Sequence, residues 1–138
     1  MATDFLARSD AIEECYEYLL AYAGQGLPGD VGEQSHSQVR EFLTRAANAL
    51  EGLVASFNDA VSAESLQPTS TYEEFGRVLE RDVQSSLAAI RVVLAQPSIG
   101  SQLVDNLNAS VHFRALLTDL FLIGEVLTSR TAVESTQT

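Results

Sequence analysis

Asp105, His112 and Asp119 recur at seven-residue steps, a spacing that puts all three, with Asn108, on one face of a straight helix. A carboxylate beside an imidazole raises its basicity and fixes its tautomer. Such a histidine can act as a general base, a phosphoryl acceptor or a metal ligand. Residues seven apart on a helix are roughly 10 Å apart along its axis, too far for a direct hydrogen bond, so other helices would have to complete the site. Tyr16, in the first predicted helix, is a candidate donor. This defines a small-ligand or metal site near His112 as the chemical alternative. The plainer reading outweighs it: Asp105 and His112 lie on a solvated or hydrogen-bonded face, and Asp119 pairs with an arginine of another helix or subunit.

The remaining chemistry-bearing residues fall short of a site. The segment ASVHFRALLTD around His112 lacks the Lys and Gly that follow the phosphorylated histidine of phosphotransfer bundles. Glu33 and His36 form one Glu-x-x-His step, half of a di-iron carboxylate ligand set; the position that would complete a second step before His112 is Ala109. Capping and solvation at a loop-to-helix junction explain Glu33 and His36 better. Cys15 is the only cysteine, so neither a disulfide nor a thiolate cluster can form within the chain. Its neighbours Glu13, Glu14 and Glu17 disfavour a thiolate, which makes it a small core residue rather than a nucleophile. Lysine is absent, so Schiff-base chemistry and a phosphate-loop lysine are excluded. No haem-attachment segment or nucleophile-elbow motif occurs. The sequence therefore points away from catalysis, and no cofactor or metal is implied.

Composition narrows the partners. A net charge of −11 and a pI near 4.4 repel phosphate backbones and anionic headgroups, so neither nucleic acid nor a membrane surface is an expected partner. The N-terminal stretch MATDFLARSDAIEE lacks the basic start and apolar core of a signal peptide, and no apolar run is long enough to span a bilayer. With a lone cysteine, these features predict a cytoplasmic protein. The all-arginine basic set suits a GC-rich, bacterial genome.

The elements that must position these residues are helices. At 138 residues with 46% hydrophobic content, one core is expected. Ile12, Cys15, Tyr16, Leu19, Leu20 and Ala23 form an amphipathic stripe opening at Thr3 or at the Asp10/Glu13 capping pair and closing at Gly24 and Gly26. The glycine-rich stretch GQGLPGDVGEQ at 24–34 reads as a connector. Val39, Phe42, Leu43, Ala46, Leu50, Leu53, Val54, Phe57 and Val61 predict one long second helix, with Glu41 and Arg45 paired on its outer face. Capping boxes at Ser70/Glu73 or Thr71/Glu74 predict the start of a third, carrying Leu79, Val83, Leu87 and Ile90, a Glu73–Arg77 pair, and a stop at Pro97. The last stretch, 98–128, is helical from a cap at Ser98 or Ser101. The predicted fold is an all-α, antiparallel up-down-up-down four-helix bundle over residues 1–128, with a frayed tail at 129–138.

The last helix breaks this pattern. Leu103, Val104, Leu107 and Val111 gather on one side, but Phe113, Leu116, Leu117, Leu120, Ile123 and Leu127 on nearly the opposite one. Either the helix is kinked or split near 108–110, or its halves pack on different bodies; one long helix is the favoured reading. Its second half keeps only Arg114, Thr118 and Glu125 as a narrow polar strip. That excess of apolar surface makes Leu116, Leu120, Phe121, Leu122, Ile123, Val126 and Leu127 a candidate interface for a homodimer or another protein. The expected function is a non-enzymatic one, exercised through protein contacts in an accessory or regulatory role.

Overall fold

Six α-helices, rather than the expected four, make up the described part of the chain, and it contains no strand. The computed structural model describes the backbone of residues 2–25 and 33–137, with every side chain among them except those of 33–37 and 131–137. The helices are α1 (Thr3–Gly24), α2 (Glu33–Glu51), α3 (Leu53–Ala63), α4 (Thr69–Leu94), α5 (Ser101–Ala109) and α6 (Val111–Gln137). Residues 26–32 of the glycine-rich connector lie outside the described residues, as do the side chains of Glu33 and His36.

The two extra helices arise from two interruptions. The predicted second helix is divided at Gly52 into α2 and α3, and the last at Ser110 into α5 and α6. At Gly52 the cause is a long-range contact. Arg8 of α1 lies against this glycine so closely that a Cβ there would stand 2.6 Å from the guanidinium carbon. From that position Arg8 Nη1 donates to the carbonyls of Asn48 and Ala49, 3.3 and 3.1 Å away. The last carbonyls of a helix have no partner inside it, and a cation is favoured at that end of the dipole. Arg8 therefore caps α2 from another helix. Its Nε also donates to Asp4 at 3.0 Å, and the Ser56 hydroxyl of α3 donates to the same carboxylate oxygen at 2.6 Å. These contacts hold the Asp4 carboxyl below its usual range, the Ser56 hydroxyl contributing most.

At Ser110 the cause is local. Its backbone turns to an extended conformation, φ −61° and ψ 141°, and its hydroxyl accepts a 3.2 Å hydrogen bond from the Phe113 N–H. Ser110 ends α5 and caps α6, so the favoured single long helix is not formed. The predicted caps of α5 and α4 are not made. Ser101 donates to the Tyr22 carbonyl at 2.9 Å, leaving Gly100 at the α5 N-cap. At α4 the cap position belongs to Pro68, not Ser70 or Thr71. Glu41 and Arg45 do pair, at 3.5 Å, whereas Glu73 and Arg77 form no ion pair.

The core follows the apolar stripes. Ile12, Cys15 and Leu19 of α1, Val39, Leu43 and Leu50 of α2, Leu79, Val83 and Ile90 of α4, and Val104 and Leu107 of α5 are all buried. Phe113, Leu116, Leu117, Leu120, Ile123 and Leu127 bring the inner face of α6 into the same core. α1 packs against α2, α3, α5 and α6, and α4 packs against α2, α3, α5 and α6. α4 and α6 run antiparallel: the Ser86 hydroxyl donates to the His112 carbonyl at 2.9 Å near the start of α6. At the other end, Arg130 donates to the Glu64 carbonyl at 2.7 Å, just before α4 begins. α6 is helical to Gln137, through and beyond the stretch where the apolar period fades.

Arg8→Ala is expected to lower stability by about 1–2 kcal/mol in urea denaturation, the worth of charge-assisted bonds to a helix end. Gly52→Ala displaces the guanidinium and loses the same cap. In the Arg8→Ala background, where nothing occupies that space, Gly52→Ala turns stabilising; simple additivity of the two changes would contradict this account.

Candidate functional site

Asp119 projects inward from α6 and is 8% exposed, the only acidic side chain among the described residues buried to this degree. The turn before it (Phe113, Leu116, Leu117) and the turn after it (Leu120, Ile123) carry core residues, so the helix cannot turn Asp119 to solvent without exposing them. Its partner is not the expected arginine. Across the α4–α6 seam stands another acid, Asp82, on the flank of α4 between Leu79 and Ser86.

Two carboxylates cannot satisfy one another, since both only accept hydrogen bonds; one becomes a donor when it keeps its proton. The Oδ2 atom of Asp119 is buried and meets no protein donor. Burial first, then hydrogen bonding to the Asp82 carboxyl and the negative charge of Asp82, push the Asp119 carboxyl up to about 8. At neutral pH burial and the neighbouring acid thus hold the Asp119 carboxyl toward its protonated form.

The break at Ser110 separates Asp105 from the other two residues of the seven-residue stripe. Asp105, on α5, and His112, in the first turn of α6, are both exposed, and Asp119 is buried. Tyr16 is half-buried and meets Phe113 edge-on, ring centroids 6.0 Å apart, rather than any of the three polar groups. Asn108, placed with them by the helical spacing, is buried at the end of α5 with neither amide atom hydrogen-bonded. Among the described residues no group of three or more His, Cys, Asp or Glu side chains is placed to hold a metal ion. Two open surface hollows, one on α2 between Arg40 and Asn48 and one on α4 between Glu74 and Arg81, border neither His112 nor Asp119.

Cys15 is fully buried, and its thiol is pushed up to about 12. The cause is burial; the neighbouring glutamates do not contribute, and Arg45 acts in the opposite direction. Of the clustered tyrosines, Tyr22 is buried and donates to the Ile99 carbonyl at 2.6 Å. Tyr18 stacks on Phe42, centroids 4.1 Å apart.

The candidate interface residues divide into two faces. Leu116, Leu120, Ile123 and Leu127 belong to the core of this chain, so they are not free to meet another. Val126 is half-buried. Phe121 and Leu122 remain, 59% and 56% exposed, on the outward face with Val111 at 72%. No helix among the described residues is long and apolar enough to cross a membrane. No protein-family model, curated protein or solved structure matches the chain.

The acid pair has a measurable consequence. In the unfolded chain Asp119 titrates near 3.8, whereas in the fold it holds its proton to about 8. Between those values the folded state binds the extra proton, so this contribution is fully present below pH 4 and is lost as pH rises through 8. Urea midpoints are expected to fall from pH 5.5 to pH 8.5. Asp119→Asn should flatten that dependence and exceed the parent protein in stability at pH 8.5. An unchanged pH profile in the variant would refute the buried proton.

Proposed function

We propose that the chain is a non-enzymatic helical module that acts through protein contacts, pairing with a second copy of itself in an accessory or regulatory role in the cytoplasm. In this reading the six helices form four arms of an up-down-up-down bundle, the second interrupted at Gly52 and the fourth at Ser110.

The observation that carries the proposal is the pair Phe121 and Leu122, adjacent, large and apolar, more than half exposed on α6. Scattered single apolar residues are ordinary on a surface; two side by side on a helix whose other face is core residues form a ridge. Aromatic residues are enriched at the buried centres of protein interfaces, where a few anchors carry most of the binding free energy. The acidic character of the chain argues for a protein partner over a phosphate-bearing one.

Size-exclusion chromatography with light scattering tests the reading. Mass is expected to rise toward twice the 14.9 kDa of the chain as concentration reaches roughly 100 µM. Phe121→Glu should hold the protein monomeric and leave the melting of a dilute sample within about 0.5 kcal/mol of the parent, because Phe121 lies outside the core. A constant monomer mass at millimolar concentration would sink the proposal.

A further inference from the structure

The outward face of α6 carries more than an apolar pair. Arg114, Thr118, Phe121, Leu122 and Glu125 are all exposed and follow the three- and four-residue steps of one helical stripe. Arg114 and Glu125 are three turns apart, roughly 16 Å along the axis, and differ by only about 20° around it. The apolar pair lies between them, and among the described residues neither forms an ion pair within the chain. Glu125 accepts only a long bond from its neighbour Ser129.

Such a stripe is complementary to itself in one direction. Set against a second copy running parallel, Arg114 meets Arg114 and Glu125 meets Glu125. Set antiparallel about a two-fold axis passing midway between Asp119 and Leu120, Arg114 faces Glu125 at both ends, and Thr118 faces Phe121 on either side of the axis. A two-fold interface requires this reciprocity: whatever one position meets, its counterpart must meet in return. We infer that α6 is the interface of an antiparallel homodimer, held in register by two Arg114–Glu125 pairs around a centre of Phe121 and Leu122. This rests on the homodimer reading above and specifies its geometry.

Charge favours this face of α6 over that of α1. Two chains of net charge −11 repel each other, and contact is least opposed where their surfaces are neutral. α1 presents Asp10, Glu14 and Glu17 to solvent with no exposed cation on the same helix, whereas on α4 the exposed Glu73, Glu74 and Glu80 are offset by exposed Arg77, Arg81 and Arg91. From Val111 to Ser129, the exposed face of α6 carries one arginine, one glutamate and His112. A ridge of about five turns covers less than the roughly 800 Å² per partner of a standard interface, so the dimer should dissociate in the micromolar range.

Charge reversal separates register from association. Sedimentation equilibrium on the full chain would compare Arg114→Glu, Glu125→Arg, the double reversal, and the milder Arg114→Gln. Each single reversal sets two like-charge contacts across the axis and is expected to weaken self-association about ten-fold. Arg114→Gln should fall between, and the double reversal should return close to the parent value. These side chains lie outside the core, and far-UV circular dichroism confirms that each variant is folded. A parent dimer whose affinity none of the variants changes would overturn the antiparallel register while leaving homodimerisation standing. A parent protein that stays monomeric would overturn both.

Discussion

The fold hangs on helix ends that are finished by other helices, and the guanidinium of Arg8 on Gly52 is the contact that sets the pattern. A chain of six helices has many carbonyls at C-termini with no partner of their own, and burying them unpaired would cost more than most side-chain contacts return. Arg8 takes two of these from α2. Arg40 of α2 does the same for α4, donating to the carbonyls of Leu94, at 2.9 Å, and Gln96. Arg130 of α6 reaches the Glu64 carbonyl at the end of α3. Each of the three arginines joins elements far apart in sequence, so it closes a helix end and fixes an inter-helix angle together. The forked, always charged guanidinium suits this role better than an ammonium, and the sequence contains no lysine to offer one.

The break at Ser110 governs what α6 can offer. Because the backbone leaves the helical region there, the azimuth of every later residue is reset relative to α5, and Val111 points to solvent although Val104 and Leu107 point inward. That reset lets Phe113, Leu116 and Leu120 turn toward α1 and α4 and leaves Phe121 and Leu122 outside. It also carries Asp119 inward against Asp82. The break also parts Asp105 from His112 and Asp119, which stay seven residues apart on α6, His112 exposed in its first turn and Asp119 buried along the seam.

Much of the fold was legible because burial leaves a periodic mark. The stripes through Val39, Leu43 and Leu50 and through Leu79, Val83 and Ile90 are core in the structure, and Gly24 and Pro97 mark ends the chain does make. What was not legible is what depends on distant partners. Gly52 falls inside the predicted second helix, and nothing nearby in sequence announces a guanidinium from position 8. Ser101 read as a cap because a carbonyl from α1 is invisible in local sequence. Asp119 lacked its true neighbour for the same reason. One signal was available: Asp82 follows Leu79 by three residues and precedes Val83 by one, so it borders the buried stripe of α4 as Asp119 borders that of α6. Two acids on inward-leaning positions of adjacent arms are a cue for a shared proton.

That shared proton and the outward ridge occupy opposite sides of the same helix, and each bears on the other. A second ionised carboxylate in the seam would push α4 and α6 apart, because the low-polarity surroundings screen like charges poorly. Protonation lets the two acids attract, so the helix that carries Phe121 and Leu122 is seated firmly against the core. It also removes Asp119 from the 19 acids whose ionisation makes up the formal net charge of −11. Apolar contact between two such molecules must outweigh their mutual repulsion, and that is easiest on a rigid helix with little charge of its own. The inward acid is therefore compatible with an outward contact surface on α6 because it is protonated, whereas an ionised Asp119 would loosen the seam and raise the repulsion in one step.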